Sequence, residues 1–111
     1  MFIPALSQIL DAQDALLFFD EAQTGIGRTG KMFACEHFKV VPDEIVLGKV
    51  MCGRVSIAAL ILRDRLAVLE PGDQLESHQG DPLGCGAALA YIDIILRDKH
   101  VKKVREISEY L

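Results

Sequence analysis

The stretch at residues 16–31, LLFFDEAQTGIGRTGK, constrains the fold of this chain more than any other. Leu16, Leu17, Phe18 and Phe19 form an apolar run that stops on two carboxylates, Asp20 and Glu21; Gly25, Gly27 and Gly30 follow. A run so short and uniformly apolar is too brief for an amphipathic helix and fits a buried parallel strand. An acid at the end of such a strand, ahead of a glycine loop, lies where open α/β sheets keep their ligands.

The rest of the chain supplies partners for that strand. Residues 4–13 carry apolar positions at helical spacing with Pro4 near the start. A short helix is predicted over 32–39, ended before Pro42, then a strand over 44–47 closed by Gly48 and Lys49, and a third strand over 56–62. A short helix over 64–69 leads to the turn Pro71, Gly72, Asp73. Asp81 followed by Pro82 is a strong helix start, with Asp as N-cap and Pro at the first helical position. Leu83, Ala87, Ala90, Tyr91, Ile94 and Ile95 then form an apolar stripe read as core packing, and 101–111 is a last amphipathic segment. The pattern is α/β: about three buried strands of a mostly parallel sheet with flanking helices.

Bulk properties narrow the function. At 111 residues the chain is one small domain or a piece of a larger one, and its half-hydrophobic, quarter-charged composition is globular. A net charge of −4 disfavours a nucleic-acid surface. The basic cluster at 99–105 is broken by Val101 and Val104 and reads as the solvated face of a helix. Cys35, Cys52 and Cys85 are odd in number and form no CxxC pair, which fits a reducing compartment. Cys35, Glu36 and His37 are adjacent residues that diverge on a helix and have no second ligand pair, so no metal site is expected. No apolar run approaches a membrane span, and the N-terminus lacks the basic region of a signal peptide, so the expected location is the cytoplasm. The helical pattern at both ends and the open sheet edges lead to the expectation that residues 1–111 are the middle of a larger α/β domain, with no second domain in the chain.

Three cofactor chemistries compete for the central stretch. Gly25, Gly27 and Gly30 match the dinucleotide fingerprint GxGxxG, but that motif needs its first glycine directly off the strand and an acid at the end of the next one. Residues 20–24 intervene here, and Asp43 and Glu44 sit at the wrong edge. Gly25 to Lys31 also matches a phosphate-binding P-loop except that Met32 replaces the Mg²⁺-binding hydroxyl, and the preceding acids would repel a triphosphate; residues 60–64 only loosely resemble its acidic partner strand. The third reading uses Asp20 and Lys49, each just past one of two neighbouring parallel strands. A carboxylate and an amine so placed can bracket a flat ring. Pyridoxal phosphate asks for that pair: an acid to keep the pyridine nitrogen protonated and a lysine to form the Schiff base.

The segment FDEAQTGIGRTG at 19–30 resembles the DE-x-QTG-x-GRTG signature of the class III (ω-amino acid) aminotransferases, which include acetylornithine, ornithine and 4-aminobutyrate aminotransferases. The spacing from Asp20 to Lys49 is similar to theirs, as are Glu70-Pro71-Gly72-Asp73 and Gly80-Asp81-Pro82-Leu83, so the resemblance runs through essentially the whole chain in one register. It implies a partial three-layer, fold-type I large domain that binds pyridoxal 5'-phosphate. By the same resemblance Asp20 would pair with the ring nitrogen, Lys49 would carry the cofactor, Ala22 would pack on the ring face and Gln23 would approach the ring hydroxyl. Ser77 stands where the family presents a threonine to the phosphate of the neighbouring subunit of a homodimer. The glycines would be structural.

The chain departs from the family pattern at Cys52 and Arg54, which replace glycines, and at His78 and Asp81. The upstream phosphate loop and the substrate-carboxylate domain are outside these residues. The implied reaction is transfer of an amino group, with an ω-amine as one candidate, from an amino acid to a 2-oxo acid such as 2-oxoglutarate, with the 111-residue chain alone expected to be inactive. A racemase or aminomutase, and a non-catalytic remnant that only folds or pairs with a partner, are the alternatives.

Overall fold

The computed structural model describes residues 2–49, 51, 55–73 and 80–110. Helix α1 (Phe2–Ala12) leads to strand β1 (Phe18–Asp20), and residues 21–43, containing the short helix α2 (Cys35–Phe38), cross over to β2 (Glu44–Leu47). Strand β3 (Ala59–Leu62) and a turn of 3-10 helix (Asp64–Leu66) precede α3 (Pro82–Arg97) and α4 (His100–Ser108).

The sheet order is β1-β2-β3. β1 and β2 are parallel, with Phe18, Phe19 and Asp20 opposite Glu44, Ile45 and Val46. β3 returns antiparallel to β2, with Ile61 opposite Ile45 and Ala59 opposite Leu47. A parallel return needs a crossover, usually a helix, whereas an antiparallel one does not, and only residues 48–58 separate the two strands. The sheet is therefore mixed.

Alternation along these registers sorts the side chains. Phe19, Ile45, Leu47 and Ala59 share one face, where Ile45 and Leu47 pack with Ile26 and Cys35 in the buried core and Met32, Phe33, Tyr91 and Ile95 close around them. The opposite face carries Phe18, 55% exposed, and Leu60, 54% exposed. The expectation of three buried strands is thus corrected: among the described residues the core packs on one face, and the other leaves Phe18 and Leu60 exposed. Helix α3 also differs from its predicted stripe. Gly84 and Ala88 are its buried residues, and Tyr91 and Ile95 extend that line, whereas Leu83 is exposed. A helix apolar on nearly every side gives periodicity little to discriminate. Its start is as predicted: Asp81 accepts the Gly84 amide at 2.8 Å and Pro82 is the first helical residue.

β1 begins two residues later than predicted because Asp43 intercepts its entry. The Leu17 amide donates to Asp43 Oδ2 at 2.9 Å, and the Leu17 carbonyl accepts from the Asp43 amide at 2.9 Å. Asp43 is buried, and Arg65 and Arg63 pair with its other oxygen. Arg63 Nε further donates to the Pro42 carbonyl at 3.0 Å.

These environments imply two pH limbs. The Leu17 amide, then Arg65 and Arg63, hold the Asp43 carboxyl below its ordinary value against the opposing effect of burial. Its stabilisation is complete above the unfolded-state pKa and is lost as pH falls through the depressed folded value. Burial, with the Glu21 carboxylate adding, pushes the Cys35 thiol up to about 11 from 9.0. Its contribution is complete below the unfolded value and disappears as pH rises toward the folded one. Urea denaturation across pH should show Asp43→Asn flattening the acid limb and Cys35→Ala the alkaline limb between about 9 and about 11; limbs unchanged from wild type would contradict these assignments.

Candidate functional site

Asp20 ends β1 and is exposed at the carboxyl edge of the sheet. Its Oδ1 accepts the Ala22 amide at 3.0 Å, a local turn that starts the chain on its way out of the strand. The ladder continues one residue further, since the Glu21 amide donates to the Val46 carbonyl at 2.9 Å. On the neighbouring strand, Leu47 is followed by Gly48 and then by Lys49, which is exposed. Lys49 is three residues past Val46, the partner of Asp20, so acid and amine share one edge with an offset of at most roughly 10 Å along the strand. Ala22 links them: a Cβ built on Gly48 would lie 3.5 Å from the Ala22 Cβ. Gln23 is exposed on the same turn.

The pair Asp20 and Glu21 is split by strand alternation. Glu21 is the most buried charged residue described, at 1% exposure. Its Oε2 accepts from the Ala34 amide at 2.7 Å and the Thr24 hydroxyl at 3.2 Å, and its Oε1 from the Cys35 amide at 2.9 Å. The residue at the cap of α2 is Ala34, which has no side-chain acceptor, so Glu21 caps that helix from the adjoining strand. The sequence reading gave Glu21 no role beyond negative charge, although period-two alternation could have assigned one acid to each face.

The glycine loop has no amides to spare for a phosphate at four of its positions. The amides of Gly25, Gly27, Arg28 and Gly30 donate to the carbonyls of Glu21, Met32, Gly25 and Gly27. Lys31 Nζ donates to the Glu36 carbonyl at 3.0 Å. Gly27 and Gly30 have φ of +86° and +83°, and α4 packs on them, with Val101 beside Gly27 and Arg105 beside Gly30. Arg105 donates to the Gly30 carbonyl at 3.2 Å, so this member of the basic cluster faces the loop rather than solvent alone. Neither nucleotide motif survives this geometry. A cleft of about 440 Å³ between the loop and α3–α4, lined by Ile26, Arg28, Tyr91, Ile95, His100 and Val104, includes none of Asp20, Ala22, Gln23 and Lys49. Ser77, with Cys52, Arg54 and His78, lies outside the described residues.

The family description for class III aminotransferases matches residues 1–111. The chain belongs to the class III aminotransferases. It is 38% identical over 109 residues to an acetylornithine aminotransferase of Caldanaerobacter subterraneus subsp. tengcongensis, and 40% identical over 110 residues to that of Methanocaldococcus jannaschii, in each case with 98% of this chain aligned. It spans 28% of the length of these relatives. Among solved structures, the ornithine aminotransferase of Toxoplasma gondii, described with partial occupancy of PLP at its active site, superposes with a TM-score of 0.86 at 31% identity, over 94% of this chain and 25% of that one. These similarities support the α/β, fold-type I reading and a pyridoxal 5'-phosphate-dependent family. The residues at this edge fit that cofactor: an exposed carboxylate and a primary amine at one sheet edge, with a small apolar residue beside them.

The crowding around the loop is directly testable. A Cβ at Gly25 would lie 2.8 Å from the Glu21 carbonyl and 3.0 Å from Leu47 Cδ2, whereas at Gly86, within α3, nothing lies within 4 Å. Gly25→Ala should cost about 2 kcal/mol or more in urea denaturation, because backbone must move. Gly86→Ala should stabilise by about 0.5–1 kcal/mol through helix propensity. Equal effects at the two sites would contradict the packing described.

Proposed function

We propose that this chain provides the lysine-bearing edge of a pyridoxal phosphate-dependent transaminase, with residues 1–111 as part of its large, cofactor-binding domain. The observation that carries the reading is the placement of Asp20 and Lys49 at the carboxyl ends of adjacent parallel strands, with Ala22 against Gly48 between them. When bound, the cofactor supplies an electron sink that permits removal of the substrate Cα proton.

The residues of this chain would act around it as follows. Asp20 would accept the pyridine N–H and hold the proton there. Lys49 Nζ would provide the covalent attachment and, once displaced by the substrate amine, would be the free amine that moves the proton at the substrate Cα. Ala22 gives a small apolar contact that lets the ring lie close to the sheet edge, and Gln23 offers its amide to the ring hydroxyl. Ser77 would donate its hydroxyl to the phosphate held by the second subunit of a homodimer. The substrates would be an amino acid, with an ornithine-like ω-amine as one candidate donor, and a 2-oxo acid such as 2-oxoglutarate. A cytoplasmic location agrees with three cysteines, odd in number and without a CxxC pair. No helix among the described residues is long and apolar enough to cross a membrane.

Borohydride reduction in the presence of pyridoxal phosphate, followed by peptide mapping, tests the assignment. The pyridoxyl group is expected on Lys49 and should vanish in Lys49→Ala. Asp20→Asn should lower Lys49 labelling about tenfold, as loss of a charge-assisted hydrogen bond of roughly 1.5–3 kcal/mol would do. Label spread evenly over Lys31, Lys39, Lys102 and Lys103 would instead favour a non-catalytic remnant. The chain by itself is not expected to turn over an amino donor with a 2-oxo acid.

A further inference from the structure

We propose that Glu21 is a positioning residue for this edge: its buried carboxylate locks the turn that presents Asp20 and Ala22 beside Gly48 and Lys49. The proposal rests on the cofactor reading above and deepens it.

Glu21 is fastened at both ends. Through its backbone it donates to Val46 at 2.9 Å and accepts from Gly25 at 2.9 Å. Through its side chain it accepts from Thr24, Ala34 and Cys35. The Asp20 carboxylate, by contrast, bonds to the Ala22 amide on the same turn. The direction of the Asp20 carboxylate is therefore set by the backbone angles of residues 20–22, and those are set by Glu21. The same residue reaches β2: its amide donates to the Val46 carbonyl, and its carbonyl and Leu47 Cδ2 both crowd the position that a Cβ at Gly25 would take. One buried carboxylate thereby couples the strand that ends in Asp20 to the strand that leads to Lys49.

Glutamine is a sharp probe of this role. Both carboxylate oxygens of Glu21 receive N–H donors, Oε2 from Ala34 and Oε1 from Cys35. A carboxamide must point its own NH₂ at one of those amides whichever way it is flipped. Glu21→Gln preserves size and removes the complementarity. Asp43→Asn is the control: it perturbs a buried acid at the start of β2, the far end of the sheet, and so lowers stability without touching this edge.

The experiment compares Lys49-directed pyridoxyl labelling, circular dichroism and urea midpoints for the 111-residue chain and its variants. Glu21→Gln is expected to remain folded and to lose Lys49 labelling about tenfold or more, since misplacement of a reacting group on the scale of 1 Å is that costly. Asp43→Asn, or Arg65→Ala should the first not fold, is expected to lose stability and keep wild-type labelling. Wild-type labelling in Glu21→Gln overturns the proposal, and so does an equal loss in the control, which would make the effect one of stability alone. If Glu21→Gln does not fold, Thr24→Val decides, because it removes one donor: a severalfold loss of label supports positioning and no loss overturns it. If the unmutated chain shows no Lys49 label, the cofactor reading fails separately. Amide exchange at Ala22 and Gly25 then judges the positioning role, with faster exchange in Glu21→Gln than in the control supporting it and equal exchange overturning it.

Discussion

The structure depends on a carboxylate that is almost entirely out of water. Burying an acid costs several kcal/mol unless its oxygens find donors, and Glu21 finds three. The bargain is mutual. The amides of Ala34 and Cys35 open a helix whose cap residue has no acceptor to offer, so they too would be unsatisfied without Glu21. Asp43 closes the opposite end of the sheet in a similar way. It accepts the Leu17 amide and pairs with Arg63 and Arg65. A short parallel pair of strands is thus pinned at both ends by buried acids bonded to donors distant in sequence.

That arrangement explains what the glycines do. Gly25 is glycine because the Glu21 carbonyl and Leu47 leave no room for a Cβ, and Gly27 and Gly30 because the chain turns through positive φ where α4 packs against it. Four amides of the loop are bonded inside the loop and its flanks, which agrees with the proposal that the strand edge, and not the glycine turn, takes the ligand. Ile26, itself at φ 50°, is buried in the core between loop and sheet. The loop is a packing surface with a fixed shape.

What could be read from the sequence follows from how local each cause is. The cap at Asp81 and Pro82 was legible because donor and acceptor lie three residues apart. The strand Glu44–Leu47 was legible because an apolar segment ends on Gly48, and its parallel pairing with β1 placed Asp20 and Lys49 together. Alternation could have put Glu21 on the buried face, but the amides that Glu21 and Asp43 satisfy lie 13, 14 and 26 residues away, where no periodicity reaches. The β3 direction was not legible because the sequence between β2 and β3 carries no periodic signal, and the α3 stripe was blurred by a helix apolar on most sides. The same locality limit bears on Ser77, whose proposed partner is a different subunit.

The direction of the β1–β2 pairing ties these features into one device. Were the two strands antiparallel, Asp20 and Lys49 would fall at opposite ends of the sheet, and no single ring could meet both. Parallel pairing brings their carboxyl ends together but demands a crossover long enough to return to the start of β2. Residues 21–43 are that crossover, and they comprise the glycine turn and α2. Their path closes only if α2 is held against the end of β1, which is the bond set that Glu21 makes. The acid beside Asp20, the glycines and the spacing to Lys49 are therefore successive requirements of one geometry: parallel strands that deliver a carboxylate and an amine to the same edge.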